Sequence, residues 1–411
     1  MIHRAVRRTR LLLAIAICFV PGAGRCVGAE TVDNAPTTWT LPLVDLSQDV
    51  QRQTIVDREA GQYLGHVTTV LLEDGKTMYA VYPKGHGRGA IVLKRSDDAG
   101  RTWSDRLPTP ANWATSLEVP TIHRVVDAQG VKRLILWSGL YPARLAVSED
   151  DGATWSELNP VGQWGGIVVM GFVAPLQNPG RYLAMFHDDG RFIEKSPEGQ
   201  PRKADGFMRL YKTFSDDGGL SWSDPEEVFA SSEIHLCEPG CIRSPDGRQL
   251  AVLLRENRRR RNSHIIFSND EGATWSAPRP MPSSLTGDRH TARYAPDGRL
   301  LVTFRDRSPH VNRDGRPDLD KRGMGSPTEG DWVAWIGSYD DLVSGKEGQY
   351  RVRLMDNRKD WDTCYPGLEL LEDGTFVATT YGHWTAGEQP YIVSVRFKLE
   401  EIDALAAATS K

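Results

Sequence analysis

Side chains able to move protons or bind anions recur at matching distances from four Asp-Gly turns in this sequence. Each turn separates two apolar stretches, which is the pattern of a β-hairpin. The residues that begin the first stretch or end the second are His66, Tyr82, Glu238, Arg255, Arg289, Arg305, Tyr365 and Tyr381. A carboxylate accepts protons, a phenol becomes a nucleophile when a base takes its proton, and a guanidinium group binds carboxylates bidentately. If the hairpins meet, these residues could carry out covalent chemistry on an anionic molecule.

A second motif marks the elements that would bring the hairpins together. The pattern Ser-x-Asp-x-Gly-x-Thr-Trp, with Ser for Thr in one copy, begins at Ser96, Ser148, Ser215 and Ser268. In each copy the Asp can bond to turn amides, the Gly can adopt positive φ, and the Trp can pack beneath the turn. Four copies at intervals of roughly 50 to 70 residues indicate a repeat architecture with one supersecondary unit per repeat.

Hairpins and outer turns alternate along the chain. The hairpin turns are Asp74-Gly75, Asp246-Gly247, Asp297-Gly298 and Asp373-Gly374, and two looser copies run through 122–130 and 168–180. Six units of four strands predict an all-β fold, a six-bladed β-propeller, in which radial closure protects the sheet edges. We assign 30–400 to the propeller and 401–411 to a C-terminal tail, and we expect 37–43 to supply the strand that closes the ring.

Blade geometry predicts where the chemistry lies. In an antiparallel blade, the first strand begins and the second strand ends on one face of the disc, opposite to both kinds of turn. The hairpin residues named above are therefore expected at one mouth of the central axis.

The recurring Ser-x-Asp-x-Gly-x-Thr-Trp turn resembles the Asp-box, or BNR repeat, of sialidases (neuraminidases) and their propeller relatives. This resemblance extends over nearly the whole chain after residue 29. The segment from Glu238-Pro239-Gly240 to Arg255 resembles the sialidase segment in which a Glu opens a blade and an Arg closes its second strand. The segment Cys364-Tyr365-Pro366-Gly367-Leu368 resembles the last-blade segment that carries the nucleophilic tyrosine of the family. Because Asp-boxes also occur on non-enzymatic propellers, they support the fold more strongly than the activity.

The resemblance implies roles for several residues. Tyr365 would be the nucleophile and Glu238 its base, an arrangement that suits an anionic sugar because a neutral phenol avoids charge repulsion. Arg255 and Arg305 would bind the substrate carboxylate. Alternatively, Arg255 pairs with Glu256 or bridges two blades, and Arg305 joins an ion network with its neighbours. The remaining residues predicted to line the pocket are His66, Lys84, Glu118 and Arg289.

The chain departs from the sialidase pattern at two places. His66 stands where the family typically places an arginine, and the loop 84–89 lacks the acid/base aspartate of the family. A glycosidase still needs a proton donor for its leaving group. His86 and Asp188 are the predicted donors, and Asp189 is an alternative to Asp188.

These observations predict a secreted, retaining exo-glycosidase of the sialidase superfamily that hydrolyses a terminal acidic sugar, sialic acid or a relative. Two alternatives stay open: a non-catalytic carbohydrate-binding propeller, and a lyase or intramolecular transferase that uses the same pocket. The expected partner is a glycan or glycoconjugate, and the protein is expected to be a monomer without a cofactor.

Composition and local motifs argue against nucleic-acid binding and against a metal site. A formal net charge of -4 argues against nucleic acid as the partner, and we interpret Arg258 to Arg261 as a solvated hairpin tip. The acidic segment 312–320 lacks the ligand spacing and closing Glu of a calcium loop, so no metal site is predicted, and it is interpreted as a lid or specificity loop.

The N-terminal residues 1–29 have the pattern of a secretory signal, with a basic stretch, a short apolar run and a small-residue end. This pattern predicts a secreted or periplasmic protein without a membrane-inserted segment. After the signal, the cysteines are Cys237, Cys241 and Cys364, which cannot form a disulfide framework, although Cys237 and Cys241 could pair.

Overall fold

Six β-sheets are arranged radially as the blades of a propeller. The computed structural model describes residues 39–195, 201–308 and 326–409. The predicted signal, residues 1–29, and the acidic segment 312–320 lie outside the described residues. Within the described residues, two short strands precede the first blade: β1 (Leu43–Asp45) and β2 (Gln53–Asp57).

The blades follow in chain order. Blade I contains β3 (Thr68–Leu71), β4 (Met78–Pro83) and β5 (Ile91–Ser96). Blade II contains β6 (Thr121–Val126), β7 (Lys132–Ser138), β8 (Arg144–Ser148) and β9 (Asn159–Pro160). Blade III contains β10 (Ile167–Pro175), β11 (Tyr182–Asp188), β12 (Arg209–Ser215) and β13 (Glu226–Ala230).

Blade IV contains β14 (Leu236–Arg243), β15 (Leu250–Glu256), β16 (His264–Ser268) and β17 (Arg279–Pro280). Blade V contains β18 (Gly287–Tyr294), β19 (Leu300–Asp306), β20 (Trp332–Gly337) and β21 (Tyr350–Met355). Blade VI contains β22 (Gly367–Leu370), β23 (Phe376–Gly382) and β24 (Tyr391–Phe397). The six-bladed, mostly β architecture predicted from the repeats is confirmed.

The second strand of each blade forms much of the core. In β7 and β15 the stretches Leu134-Ile135-Leu136-Trp137 and Ala251-Val252-Leu253-Leu254 are fully buried, because adjacent blades cover both faces of the sheet. Aromatic rings fill the wedge between blades, as where Trp137 meets Trp222 edge to face with 5.3 Å between ring centroids.

The four predicted outer turns are confirmed in their hydrogen bonding. In the first, the Ser96 hydroxyl donates to Asp98 at 2.8 Å and accepts from the Gly100 N–H at 2.8 Å. The other Asp98 oxygen accepts from the Thr102 hydroxyl at 2.7 Å, and the same bonds recur in the remaining three copies. Side-chain hydrogen bonds between residues close in sequence thus stabilise each of these turns.

The ring is closed by β2, which is the outermost strand of blade VI. It pairs antiparallel with β24, with Gln53 opposite Val395. On its other side, Asp57 accepts from the Tyr82 hydroxyl and from Arg106 Nε at 2.7 Å, so β2 also binds blade I. The closing strand therefore lies further along the chain than the predicted segment 37–43, since β1 instead runs parallel to β21 at the outer edge of blade V.

The helices are few and peripheral. Single turns of 3-10 helix occur at Val50–Arg52, Ala111–Thr115 and Ser283–Leu285, and the α-helices are α1 (Tyr339–Ser344) and α2 (Leu399–Thr409). The segment 401–411, predicted as a tail, contributes most of α2, and Ile402 within it is fully buried. No helix among the described residues is long and apolar enough to cross a membrane. Cys237, Cys241 and Cys364 are free thiols.

The closing strand yields a stability prediction. Val56 is 1% exposed and belongs to a cluster with Tyr82 of blade I and Ile392 of blade VI, whereas its neighbour Ile55 is 53% exposed. We expect Val56→Ala to lower the free energy of unfolding by about 2 kcal/mol, through lost burial and the cavity left behind. The control Ile55→Ala should change it by less than about 0.5 kcal/mol. Urea titration measures both, and equal effects would contradict this account of ring closure.

Candidate active site

The first strands of several blades begin in an unusual backbone conformation. Positive φ angles occur at His66 (57°), Val168 (54°), Glu238 (50°), Arg289 (58°) and Tyr365 (109°). A left-handed conformation is costly for residues with a Cβ and tends to persist where the surrounding structure enforces it, often at functional sites. In blades IV and V the register between the first and second strands also shifts at this point. The repeat therefore supplies the same irregular strand start several times around the axis.

A cavity of about 400 Å³ opens at this end of the axis. Among the predicted site residues, those lining it are His66, His86, Glu118, Glu238, Arg255 and Tyr365. They lie in blades I, II, IV and VI or in the segments next to their strands. Closure of the ring therefore brings together residues that are separated by up to about three hundred positions in the sequence.

Tyr365 and Glu238 meet directly in this cavity. The Tyr365 hydroxyl donates to Glu238 Oε1 at 2.8 Å, and Arg255 Nη1 donates to the same oxygen at 2.7 Å. Although burial opposes ionisation, Arg255 holds the pKa of Glu238 below its usual range, whereas burial and the Glu238 charge raise the pKa of Tyr365 well above 10. The pair is therefore a neutral phenol donating to a carboxylate, and Glu238 Oε2 is buried without a hydrogen-bond partner among the described residues.

Arg289 lies behind the phenol. Its guanidinium carbon is 4.8 Å from the centroid of the Tyr365 ring, and Nη1 donates to the Gly171 carbonyl at 3.2 Å. It lines a separate axial cavity and not the pocket that contains Glu238. The structure thus places Arg289 as a cation against the tyrosine ring, where it favours negative charge on the phenol oxygen.

Asp288 is the centre of a buried arginine cluster that sequence reasoning missed. Its carboxylate accepts from Arg305 Nε at 2.8 Å and from Arg259 Nη2 at 2.8 Å, and Arg255 Nε lies 3.5 Å away. Burial opposes the charge, yet these guanidinium groups keep the pKa of Asp288 well below its ordinary value. Arg259 is the second residue of the run that we interpreted as a solvated tip, so that interpretation is wrong for Arg259.

Arg305 is fully engaged by the protein. Two of its nitrogens bond to Asp288, and the third donates to the carbonyls of Trp361 and of Thr363, the latter at 3.1 Å. The structure therefore places Arg305 as an anchor for the segment that leads to Tyr365. It does not bring Arg305 into the lining of the pocket.

His66 packs between Tyr365 and Tyr381 of blade VI, with ring centroids 4.5 Å and 4.8 Å away. Its Nδ1 accepts the N–H of Gly87 at 3.2 Å. Burial, with help from the nearby cations, lowers the pKa of His66 to about 3, so the ring is neutral. At this position the chain presents an aromatic, uncharged surface.

His86 stands at the rim, in contact with Tyr63 and Asp362. The Tyr63 hydroxyl lies 2.7 Å from His86 Nδ1 and donates to Asp362 Oδ1 at 2.6 Å. Tyr63 and Asp362 were missed in the sequence, because neither occupies a position that recurs in the hairpins. The only available signal was that Asp362 lies three residues before Tyr365.

Comparison with known proteins supports the propeller fold. Residues 136–320 match the family described as "BNR repeat-like domain". A protein of unknown function from Dyadobacter fermentans superposes with a TM-score of 0.61 at 14% identity, over 84% of this chain and 97% of that one. Hadza microbial sialidase Hz136 gives 0.56 at 16% identity, over 82% of this chain and 66% of the sialidase.

The intramolecular trans-sialidase from Ruminococcus gnavus gives a TM-score of 0.53 at 14% identity, over 82% of this chain and 95% of that enzyme. The chain folds as a sialidase-type propeller with BNR repeats. No curated protein sequence gives a significant match. At such low identity, the solved structures show the fold of the sialidase-type propeller alone.

Three other residues that the sequence predicted at the site are Glu118, Asp188 and Lys84. Burial raises the pKa of Glu118 to about 7, and its Oε1 accepts the N–H of Val119 at 3.0 Å. Asp188 caps the turn after β11, accepting the N–H groups of Gly190 at 2.8 Å and Ile193 at 3.2 Å. Lys84 lies 3.4 Å from Glu59. The structure thus brings Glu118 into the pocket, whereas neither Asp188 nor Lys84 lines it.

The alternative donor, Asp189, pairs with Arg191 at 2.8 Å. Among the described residues, no group of three or more His, Cys, Asp or Glu side chains is arranged to hold a metal ion.

The burial of His66 predicts a pH dependence of stability. A histidine with a pKa near 3 when folded and near 6.5 when unfolded binds its proton only in the unfolded chain, so stability falls as the pH drops below 6.5. Between pH 7 and pH 5, His66 should contribute about 2 kcal/mol to this loss. Between pH 7 and pH 5, the free energy of unfolding of His66→Asn should therefore fall by about 2 kcal/mol less than that of the parent protein, as measured by urea unfolding.

The control for this measurement is Val168→Ala, which alters another buried, pocket-lining strand start without changing a titratable group. It should lower stability equally at both pH values. A parent-like pH dependence in His66→Asn would show that the His66 ring titrates normally in the folded protein.

Proposed function

We propose that this protein is a retaining exo-glycosidase that removes a terminal acidic sugar from a glycan, with Tyr365 as nucleophile and Glu238 as its base. The observation that carries the proposal is the 2.8 Å hydrogen bond from the Tyr365 hydroxyl to Glu238 in the cavity at the propeller mouth. A phenol needs a base at this distance to become nucleophilic near neutral pH.

The electrostatics suit the first chemical step. As Tyr365 attacks the anomeric carbon, its proton passes to Glu238, which is held as a carboxylate by Arg255. Arg289 against the ring stabilises negative charge that develops on the phenol oxygen. Before the reaction the nucleophile is neutral, so it does not repel an anionic sugar.

The preference for an acidic sugar is supported by Arg255. Its guanidinium group lines the cavity beside Glu238, and its pKa is raised well above the usual value despite burial because Glu238 and Asp288 lie close by. A permanently charged, planar donor at this place can bind a carboxylate next to the anomeric carbon. Arg305 is engaged elsewhere and His66 is neutral. Arg88 and Arg191 line the same cavity and would share this recognition with Arg255.

The proposal includes the cellular location. The N-terminal signal pattern of residues 1–29 supports export from the cytoplasm to a compartment in which glycans and glycoconjugates are accessible.

Hydrolysis and intramolecular transfer would use the same nucleophile and differ only in the acceptor. Mass analysis of the product separates the two, because only hydrolysis adds a water molecule.

Substitution of the nucleophile tests the proposal. With a panel of aryl glycosides of sialic and uronic acids, Tyr365→Phe should lower kcat/KM by at least about 1,000-fold, because no oxygen remains to form the glycosyl bond. Binding of the free sugar should persist, since Phe keeps the ring between His66 and Arg289.

The control is Tyr350→Phe, which removes a hydroxyl bonded to Asp403 on the outside of blade V and should leave kcat/KM unchanged. A parent protein that binds these sugars without hydrolysing any of them would indicate the carbohydrate-binding alternative. Full activity in Tyr365→Phe would exclude the tyrosine as nucleophile.

A further inference from the structure

The Tyr365 and Glu238 pair leaves one requirement of glycoside cleavage unmet, because the departing oxygen must receive a proton. We propose that His86 donates this proton, and that Asp362 acts as its positioning residue through Tyr63. This inference rests on the proposed function and assigns the acid/base group of that same site.

The geometry assigns one nitrogen of His86 to the protein and the other to the substrate. His86 Nδ1 lies 2.7 Å from the Tyr63 hydroxyl and 3.5 Å from Asp362 Oδ1, and Tyr63 donates to that same carboxylate oxygen at 2.6 Å. A histidine whose Nδ1–H is directed to a carboxylate, here through a phenol, is fixed in orientation and tautomer. Nε2 of the same ring then serves the substrate, since His86 lines the cavity and its side chain is 69% exposed.

Asp362 is itself held firmly. Its Oδ2 lies 3.0 Å from His383 Nε2, and the carbonyls on either side of it, those of Trp361 and Thr363, both accept from Arg305. Burial opposes its charge, but hydrogen bonds with His86, Tyr63 and His383 lower the pKa of Asp362 below its usual range. A carboxylate fixed in this way holds the His86 ring in one orientation through the Tyr63 hydroxyl.

Several other ionisable groups lie around His86, including Arg191 in the lining of the cavity. His66 contacts it edge to face at 4.8 Å and is neutral, and Tyr63 is a phenol whose pKa is raised by burial. Glu118 lines the same cavity, and Lys84 and Arg88 lie on the loop that carries His86. Asp362 is thus the ionised acid nearest the ring, while Glu118, with a pKa of about 7, is partly protonated near neutral pH and is the competing donor.

The two chemical steps balance with this assignment. In the first, Tyr365 Oη bonds to the anomeric carbon, its proton moves to Glu238, and the bond from that carbon to the leaving oxygen breaks. The electron pair of that bond stays on the leaving oxygen, which takes the proton from His86 Nε2. In the second step, water attacks the anomeric carbon and gives a proton to His86, while the Tyr365 oxygen leaves with its electron pair and recovers the proton from Glu238.

The dependence on leaving group tests the inference separately from the proposed function. The probes are the 4-nitrophenyl and methyl glycosides of the acidic sugar that the parent protein hydrolyses fastest. Nitrophenolate can leave without being protonated, whereas the methyl glycoside needs a proton donor for its leaving oxygen. In His86→Gln we expect kcat/KM to fall by at least about 100-fold for the methyl glycoside and by less than about 10-fold for the nitrophenyl glycoside. With the nitrophenyl substrate, added azide should restore turnover and form the glycosyl azide.

Asp362→Asn should reproduce this leaving-group dependence to a smaller degree. The loss should fall on kcat for the methyl glycoside while KM stays within about 2-fold, which a purely structural defect would not do. Tyr365→Phe should lose activity on both probes, whichever group donates the proton.

The possible failures are distinguishable. If Tyr365→Phe keeps its activity, or if the parent cleaves neither probe, the proposed function is wrong. If Tyr365→Phe is inactive but His86→Gln affects both probes equally or neither, the assignment of His86 is overturned while the nucleophile stands. If Glu118→Gln shows the leaving-group dependence and azide rescue instead, Glu118 is the donor.

Discussion

The site depends on closure of the propeller ring. Tyr365 begins blade VI and His66 begins blade I. The two blades are joined where β2 pairs with β24 of blade VI while Asp57 binds Tyr82 and Arg106 of blade I. Glu238, from blade IV, then reaches Tyr365 across the axis. Closure of the ring by β2 thus brings residues from sequence-distant blades around one cavity.

Beside the cavity, a cluster of buried charges positions the residues that line it. An isolated buried carboxylate is strongly unfavourable, but three surrounding guanidinium groups stabilise the charge of Asp288. The same ion cluster extends in two directions, through Arg255 to Glu238 and through Arg305 to the backbone on either side of Asp362. Tyr365 and the rim of the cavity are therefore positioned by a common network, in which Arg305 acts as a structural link between blade V and the start of blade VI.

Much of this arrangement could be predicted because the repeats fix it. The spacing of the Ser-x-Asp-x-Gly-x-Thr-Trp turns gave the blades, and the register of the hairpins predicted that Glu238, Arg255 and Tyr365 share one mouth, where the structure places them. Residues in loops are set by contacts that no repeat encodes, which is why Tyr63 and Asp362 were missed and Arg259 was misinterpreted. Asp188 ends β11, but its carboxylate binds the N–H groups of the turn that follows. The closing strand was misplaced because 43–45 and 53–57 are both strands, and sequence patterning does not specify the sheet edge that each one joins.

The most direct test of the central claim is covalent trapping of the nucleophile. An activated acidic glycoside with fluorine beside the anomeric carbon forms the glycosyl enzyme but hydrolyses slowly, so the intermediate accumulates and can be located by peptide mass spectrometry. The account predicts one added glycosyl group, on the peptide that contains Tyr365, and none in Tyr365→Phe. A label on any other residue, or release of the leaving group with no label on the parent enzyme, would contradict it.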